Sequence, residues 1–260
     1  MEPCVHVCVP YDSLNQYLPF IKEERLNLEI YFGSRKFDDL TKADIIGLKK
    51  ILDYNPRLSI HSPFMDLSPA AIDLKIREVT VQRYSDILDF AEILRPAVVV
   101  FHSGYEKWKY DHKTDVWLEG SLETWRPLNK KAADMGVKIA IENIYEDEPE
   151  NLRLLAEEMA SENFGLCFDA GHFNLFSKVT LSEWLNKTGR YIHELHLHDN
   201  DGASDDHSAI GDGNIDFEAI LSRLNGRSCV YTIEAHTVDN AKKSLKRLKI
   251  ITDNLRDERG

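Results

Sequence analysis

The sequence predicts a single (β/α)8 barrel, one α/β domain that spans residues 1–260. Eight strand-like segments alternate with about eight helix-like segments, and no linker divides the chain into blocks. Strict alternation implies parallel strands joined by right-handed crossovers, and eight such units in about 250 residues is the usual size of this barrel. An open, doubly wound sheet is the alternative. No Gly-x-Gly-x-x-Gly follows the first strand, so nothing favours dinucleotide binding.

The first half of the chain contains four predicted strands, at residues 4–9, 26–32, 58–61 and 97–102. The fourth, AVVVFH, is nearly continuous in apolar residues, which is typical of a strand buried on both faces. His6 in the first strand is expected to be a satisfied histidine of the core or rim. Apolar residues at helical spacing predict helices over 14–25 and 40–54. Ser68-Pro69 predicts the start of a third helix, with Ser68 as its cap.

The second half of the chain repeats the alternation. Helical patterns lie at 117–135, 149–160, 181–188, 217–224 and 238–255, and the second of them is opened by Pro149. Strand patterns lie between them at 137–142, 164–169, 191–198 and 229–234. The last helix aligns apolar residues at steps of three or four from Ala241 to Leu255, so we expect one of its faces to be buried.

Composition and charge exclude several classes of function. The chain is 43% hydrophobic and 29% charged, which is ordinary for a soluble globule. Its net charge of −12 opposes a broad nucleic-acid-binding face, so nucleic acid is an unlikely partner. The four cysteines form no C-x-x-C pair and no signal sequence precedes them, which predicts a cytoplasmic protein. No apolar run is long enough to span a membrane.

The segment 192–214, IHELHLHDNDGASDDHSAIGDGN, has the most unusual composition in the chain. It contains four of the ten histidines and five aspartates. With period two, Glu194, His196 and His198 share one face of a strand, and leucines occupy the other. Imidazole and carboxylate at short spacing are ligands for zinc, manganese or magnesium. The alternative is a solvated Asp-rich loop with chance histidines.

Histidine, aspartate and glutamate residues also lie at the ends of other predicted strands. Chemistry in such barrels is located at the carboxyl ends of the strands. By parity, Glu142, Asp169 and Glu234 point into the barrel, where an unpaired charge is costly and a divalent cation would resolve that cost. The alternative is a network of buried salt bridges. Nine potential ligands arise at the ends of six successive units: His61, His102, Glu142, Asp169, His172, His196, Asp205, His207 and Glu234.

Seven motifs in order identify a family resemblance. The motifs SIHSPF, VVFHSG, IAIENI, GLCFDAGH, HLHDN, the DDH…GDGN loop and TIEAH cover nearly the whole chain. Together they resemble the xylose-isomerase-like TIM-barrel superfamily. That superfamily contains sugar-phosphate isomerases and epimerases, and also the endonuclease IV class of DNA-repair enzymes, which is the AP endonuclease family 2.

Each branch of the superfamily implies its own roles for these residues. In the epimerase branch, the resemblance implies one divalent ion held by Glu142, Asp169, His196 and Glu234, with Glu142 and Glu234 as the catalytic acid/base pair. We expect His172 to contact a sugar or sugar-phosphate substrate, together with His61 and His102. In the endonuclease IV branch, all nine positions would hold three zinc ions in a phosphodiester hydrolase. More than one ion is therefore an open alternative, and the sequence specifies no oligomeric state.

The sequence departs from the family patterns at two places, and these bear on the choice between the epimerase and endonuclease IV branches. This chain has HLHD where endonuclease IV proteins have HLND, and it has few basic loop residues. Ketose 3-epimerases place an arginine just after strand seven, whereas the segment NDGASDDHSAIGDG has none. We favour a metal-dependent isomerase or epimerase over the hydrolase, with a catalytically silent metal-binding barrel as a third alternative.

The loop after the fourth strand, SGYEKWKYDHK, interleaves three aromatic residues with three lysines. We expect Trp108, together with Tyr105 and Tyr110, to form a lid that stacks on a sugar. The alternative is a surface loop that packs on the barrel rim.

Overall fold

The computed structural model describes residues 4–224 and 227–257, and they form a closed barrel of eight parallel strands. The barrel closes where β1 pairs with β8, with Cys4 beside Val230 and Val7 beside Ile233. This pairing confirms the predicted (β/α)8 barrel and excludes the open sheet. The strands are β1 Cys4–Pro10, β2 Asn27–Tyr31, β3 Leu58–His61, β4 Val98–His102, β5 Lys138–Glu142, β6 Phe164–Asp169, β7 Ile192–Leu197 and β8 Val230–Ile233.

Ten α-helices surround the barrel in the described part of the chain. They are α1 Leu14–Glu23, α2 Ser34–Phe37, α3 Lys42–Ile51, α4 Leu74–Leu94, α5 Thr114–Asp134, α6 Glu150–Met159, α7 Ala170–Phe176, α8 Leu181–Thr188, α9 Phe217–Leu224 and α10 Val238–Asp257. The short helices α2 and α7 are not predicted by the apolar pattern. The predicted domain span of 1–260 also includes residues 1–3, 225–226 and 258–260, which lie outside the described residues.

The predicted helix start at Ser68-Pro69 is wrong. Helix α4 begins at Leu74, and its cap is Asp73, whose carboxylate accepts the backbone N–H groups of Lys75 and Ile76. The backbone N–H of Ser68 instead donates to Thr80 Oγ1 at 3.0 Å. A carboxylate near the first turn satisfies free N–H groups and complements the helix dipole. The helix therefore begins after the aspartate, and residues before it form a loop on the barrel rim.

The core consists of two unequal layers. Most buried apolar residues, including Val7, Ile30 and Leu195, lie between the barrel wall and the helices. A small apolar layer inside the barrel contains Val98, Val100, Ala140, Cys167 and Val230. The remaining inner face is polar, because the side chains of His6, Glu29, Ser59, Glu194, His196 and Thr232 are fully buried there. The inner face of the barrel is thus mostly polar along the strands.

None of the helices in the described chain combines the length and the hydropathy that crossing a membrane requires.

Candidate metal centre

The structure brings the nine predicted strand-end residues together at the carboxyl end of the barrel, and it adds a tenth, His198. Each of the ten lies within 4 Å of at least one other member of the group. The members are His61, His102, Glu142, Asp169, His172, His196, His198, Asp205, His207 and Glu234.

Glu142 at the end of β5 lies at the centre of four histidines. Its Oε2 lies 3.0 Å from His61 Nε2 and 3.2 Å from His102 Nε2. Its Oε1 lies 3.2 Å from His172 Nδ1 and 3.5 Å from His196 Nδ1. Burial raises the pKa of Glu142, but the neighbouring His196 and His102 outweigh burial and hold that pKa well below its ordinary value. Glu142 is therefore a carboxylate at neutral pH.

The ring atom His196 Nδ1 faces three carboxylates from three different strands or strand ends. It lies 3.5 Å from Glu142 Oε1, 3.8 Å from Asp169 Oδ2 and 3.4 Å from Glu234 Oε1. This nitrogen is buried and makes no hydrogen bond with any described residue. Donors bound at about 2.1 Å in a tetrahedral site are separated by about 3.4 Å. The four side chains therefore have the donor types that a divalent ion needs, and the distances from His196 Nδ1 to Glu142 and Glu234 match the spacing of such donors.

The start of helix α7 fixes the position of the Asp169 side chain relative to the His172 side chain. Asp169 ends β6 and is the cap of the helix, because its Oδ1 accepts the backbone N–H of His172 at 2.6 Å. The His172 ring is held in turn by the carbonyl oxygen of Asn143, 3.1 Å from its Nδ1. The Asn143 side chain also donates to the backbone oxygen of Asp169 at 3.0 Å. The spacing Asp-x-x-His is therefore a helix cap that brings both side chains to the centre.

A second group of ligand types lies on the β7 side of the centre. Asp205 Oδ2 lies 3.4 Å from His172 Nε2 and 3.3 Å from His207 Nε2. His198 Nε2 lies 3.1 Å from Asp169 Oδ2, and its ring stacks on His207 with centroids 3.9 Å apart. His198, Asp205 and His207 offer donor atoms within 4.8 Å of one another. This group could hold a further ion.

The histidines of the centre differ in charge. Burial lowers the pKa of His172, but Asp169, Asp205 and Glu142 together raise it to about 12. The pKa of His61 is raised to about 9, because its contact with Glu142 outweighs the cost of burial. Burial dominates at His102 and lowers its pKa. Cationic histidines thus compensate the buried carboxylates when no metal is bound.

Two contributors to the centre are absent from the nine candidate ligands that the sequence places at strand ends. His198 directly follows β7 and has the same parity as His196, which the sequence pattern shows. Glu29 in the middle of β2 is fully buried, and its Oε2 lies 3.3 Å from His196 Nε2. The available signal for Glu29 is a lone carboxylate within an otherwise apolar strand, where an unpaired charge is costly.

In the aromatic loop after β4, the two tyrosines pack on the barrel rim and the tryptophan is exposed to solvent. Tyr110 is buried, and Tyr105 packs against it and against Trp117, with ring centroids 6.1 and 5.2 Å apart. Trp108 is 76% exposed and contacts His112 edge-on. The two tyrosines therefore match the alternative of a loop that packs on the rim. The role of Trp108 as a substrate contact stays a prediction.

Comparisons with known proteins support this description. A family model described as a xylose isomerase-like TIM barrel matches residues 27–251. An uncharacterized protein of Methanocaldococcus jannaschii is 33% identical over 220 residues, which cover 81% of this chain and 75% of the relative. A crystal structure of a D-tagatose 3-epimerase-like protein superposes with a TM-score of 0.85 at 28% identity, over 98% of this chain and 99% of that one. A Thermus thermophilus protein soaked with ZnCl2 superposes with a TM-score of 0.82 at 26% identity, over 96% of this chain and 98% of that one.

Proposed function

We propose, on the premise that the chain belongs to the xylose isomerase-like TIM barrel family, that it is a divalent-metal-dependent sugar isomerase or epimerase. In this proposal Glu142 and Glu234 exchange protons with the substrate. Similarity to a D-tagatose 3-epimerase-like protein supports an epimerase-like activity. The relative that was soaked with ZnCl2 makes zinc the first ion to test, with manganese and magnesium next.

One observation carries this proposal: Glu142 and Glu234 lie at nearly equal distances from the same nitrogen, His196 Nδ1. Each presents Oε1 to His196 Nδ1, at 3.5 Å from Glu142 and 3.4 Å from Glu234. Their Oε2 atoms lie in different surroundings, beside His61 for Glu142 and beside His207 for Glu234. Each glutamate can therefore contribute one oxygen to an ion and keep the other for the substrate, on two sides of the centre.

The proposed reaction needs this two-sided arrangement. A divalent ion held by Glu142, Asp169, His196 and Glu234 would supply Lewis acidity that makes the C–H next to a carbonyl more acidic. One glutamate removes that proton, and the other returns a proton to the opposite face of the same carbon or to the next carbon. His172 is placed to orient a substrate hydroxyl, because its ring is fixed by Asn143.

The test is solvent-deuterium incorporation into a panel of ketoses and ketose phosphates. Wild-type protein loaded with Zn²⁺ or Mn²⁺ should wash deuterium into the carbon beside the carbonyl of at least one sugar. Glu142→Gln and Glu234→Gln keep the side-chain size but remove the base, so each should lower the rate by about 10²–10⁴. The exposed Glu148→Gln in the loop that follows Glu142 is the matched control and should exchange at the wild-type rate.

Loss of metal must be separated from loss of the base in these variants. Metal content per chain is therefore measured for each one, and a variant that has lost its ion does not count as evidence for proton transfer. The proposal fails if no sugar in the panel exchanges while the wild-type protein contains its ion.

A phosphodiester hydrolase is the second candidate function. The observation in its favour is the additional group of His198, Asp205 and His207 beside the first centre, because clustered ions can activate water and stabilise a leaving oxygen. The net charge of −12 opposes it, since phosphate attraction supplies most non-specific DNA affinity. Efficient cleavage of an abasic-site duplex that requires Glu142 and Asp169 would place the hydrolase first.

A further inference from the structure

A cavity of about 350 Å³ opens directly beside the proposed metal centre. Glu234, His61 and His207 line one part of it. Its other lining residues include residues of β1, α1 and the first turn of α10. Its size lies within the range of pockets that hold small molecules.

The part of the cavity away from the centre is apolar. Val7 and Val9 line it from the outer face of β1, and Phe20 and Ile21 line it from α1. Ala241 closes it from the side of α10. The lining also includes the polar side chains of Ser13, Tyr17 and Thr237, but a sugar hydroxyl placed among the apolar side chains would lose its water without replacement.

The cavity lining offers an anion no cationic side chain except histidine, and the His61 ring there is already in contact with Glu142 at 3.0 Å. Among the described residues that line it, none is lysine or arginine. Lys242 stacks over the Phe20 ring at 5.1 Å and is not among the lining residues. Helix α10 begins at the cavity, but Thr237 caps its first turn and Asp239 adds a negative charge there. Phosphate sites normally use arginine, lysine or a free helix N-terminus.

We propose that the substrate is an uncharged keto sugar that carries an apolar substituent away from its carbonyl, such as an alkyl or aryl ether, and not a sugar phosphate. The sugar ring lies against Glu234 and His61, and the substituent occupies the cavity between Val9, Phe20 and Ala241. The proposal rests on the proposed function for the choice of a sugar. The binding of the substituent is a separate property and is measured without any turnover.

The experiment uses methyl, butyl and hexyl β-D-glucosides as probes in titration calorimetry with the metal-loaded protein. Affinity should rise by about fourfold for each methylene that becomes buried. Ala241→Phe fills the apolar part and should abolish the dependence on chain length, while weak methyl glucoside binding is retained. Ala133→Phe at an exposed position of α5 is the control and should behave as wild type.

A second variant keeps the test decisive if Ala241→Phe does not fold. Phe20→Ala removes one half-buried wall of the cavity, so hexyl glucoside should lose at least about fivefold in affinity while methyl glucoside is unchanged. Equal affinity for the three glucosides in wild-type protein would overturn the proposal. Tighter binding of a ketose phosphate than of the same free ketose would also overturn it.

The two proposals fail in different ways. Deuterium exchange into unsubstituted ketoses, without any dependence of affinity on chain length, refutes the apolar subsite and leaves the isomerase or epimerase in place. Chain-length-dependent binding without exchange into any sugar supports the subsite and refutes the proposed reaction.

Discussion

At the residue scale, the orientation of His196 depends on a carboxylate from a distant strand. Glu29 of β2 lies 3.3 Å from His196 Nε2, which leaves His196 Nδ1 directed at Glu142, Asp169 and Glu234. A carboxylate behind a histidine fixes which ring nitrogen carries the proton and makes the other a better ligand. In the proposed metal site, Glu29 would therefore act as a positioning residue through His196.

Glu29→Gln should weaken zinc binding by about 10- to 100-fold, because the amide can accept the His196 hydrogen bond but carries no charge. Competition with a chromophoric chelator measures the affinity. The exposed Glu78→Gln on α4 is the control and should retain wild-type affinity. Unchanged zinc affinity in Glu29→Gln would show that this contact has no role in binding.

Protonation of His6, which is not one of the proposed metal ligands, makes the free energy of unfolding depend on pH. Burial lowers its pKa to about 4, which outweighs the opposing effect of Glu29, and Arg57 lowers it further. The folded protein thus binds fewer protons at His6 than the unfolded chain between about pH 4 and pH 6.5. The free energy of unfolding therefore rises with pH across this window, and His6 contributes its full stability above about pH 6.5.

Denaturant unfolding at about pH 7.5 and about pH 5 tests this prediction. Because of His6, the free energy of unfolding of wild-type protein should be about 2 kcal/mol lower at the lower pH than at the higher pH. His6→Asn should lose less stability than wild type over the same interval, since it has no ring to protonate. The exposed His112→Asn should follow the wild-type pH dependence. Parallel curves for wild type and His6→Asn would refute the assignment.

At the element scale, the short helix α7 is held close to β7. A Cβ atom added at Gly171 would lie 2.0 Å from His198 Cε1, so the close approach of helix and strand requires glycine at this position. By contrast, a Cβ atom at Gly47 in α3 would meet nothing within 4 Å. The two glycines therefore predict opposite effects of the same substitution.

Gly171→Ala should lower the free energy of unfolding and displace the His198 ring, which is visible as a shift of its imidazole resonances. Gly47→Ala should raise the free energy of unfolding by about 0.5–1 kcal/mol, because alanine is the better helix former. Equal effects at the two positions would contradict the close packing of α7 on β7.

At the scale of the whole molecule, the barrel concentrates buried carboxylates at one end. Glu29, Glu142 and Asp169 are all at most 1% exposed, and they come from three different strands. A divalent ion that binds the folded state would offset their mutual repulsion. Ligand binding to the native state alone stabilises it in proportion to the logarithm of ligand concentration.

Zn²⁺ at about 1,000 times its Kd should therefore stabilise the protein by about 4 kcal/mol. Thermal unfolding after chelation, and again after zinc is restored, measures the effect. Asp169→Asn should remove most of the shift, because it removes one of the four ligands of the proposed site. A melting temperature that does not respond to Zn²⁺, Mn²⁺ or Mg²⁺ would count against a resident ion.

The sequence by itself determined the eight βα units, the strands that carry ligand types at their ends, and the inward parity of Glu142, Asp169 and Glu234. These features follow from periodicity within about ten residues, and local periodicity is readable without any contact. Only the tertiary structure decided that β1 pairs with β8, that Glu29 supports His196 across 167 positions of the chain, and that Asp73 instead of Ser68 caps α4. The first two contacts depend on how strand tilt and closure bring distant residues together, and the pattern along one strand contains no information about its partner across the barrel. The cap is local, but both Ser68 and Asp73 are cap-forming residue types, so the sequence pattern alone does not choose between them.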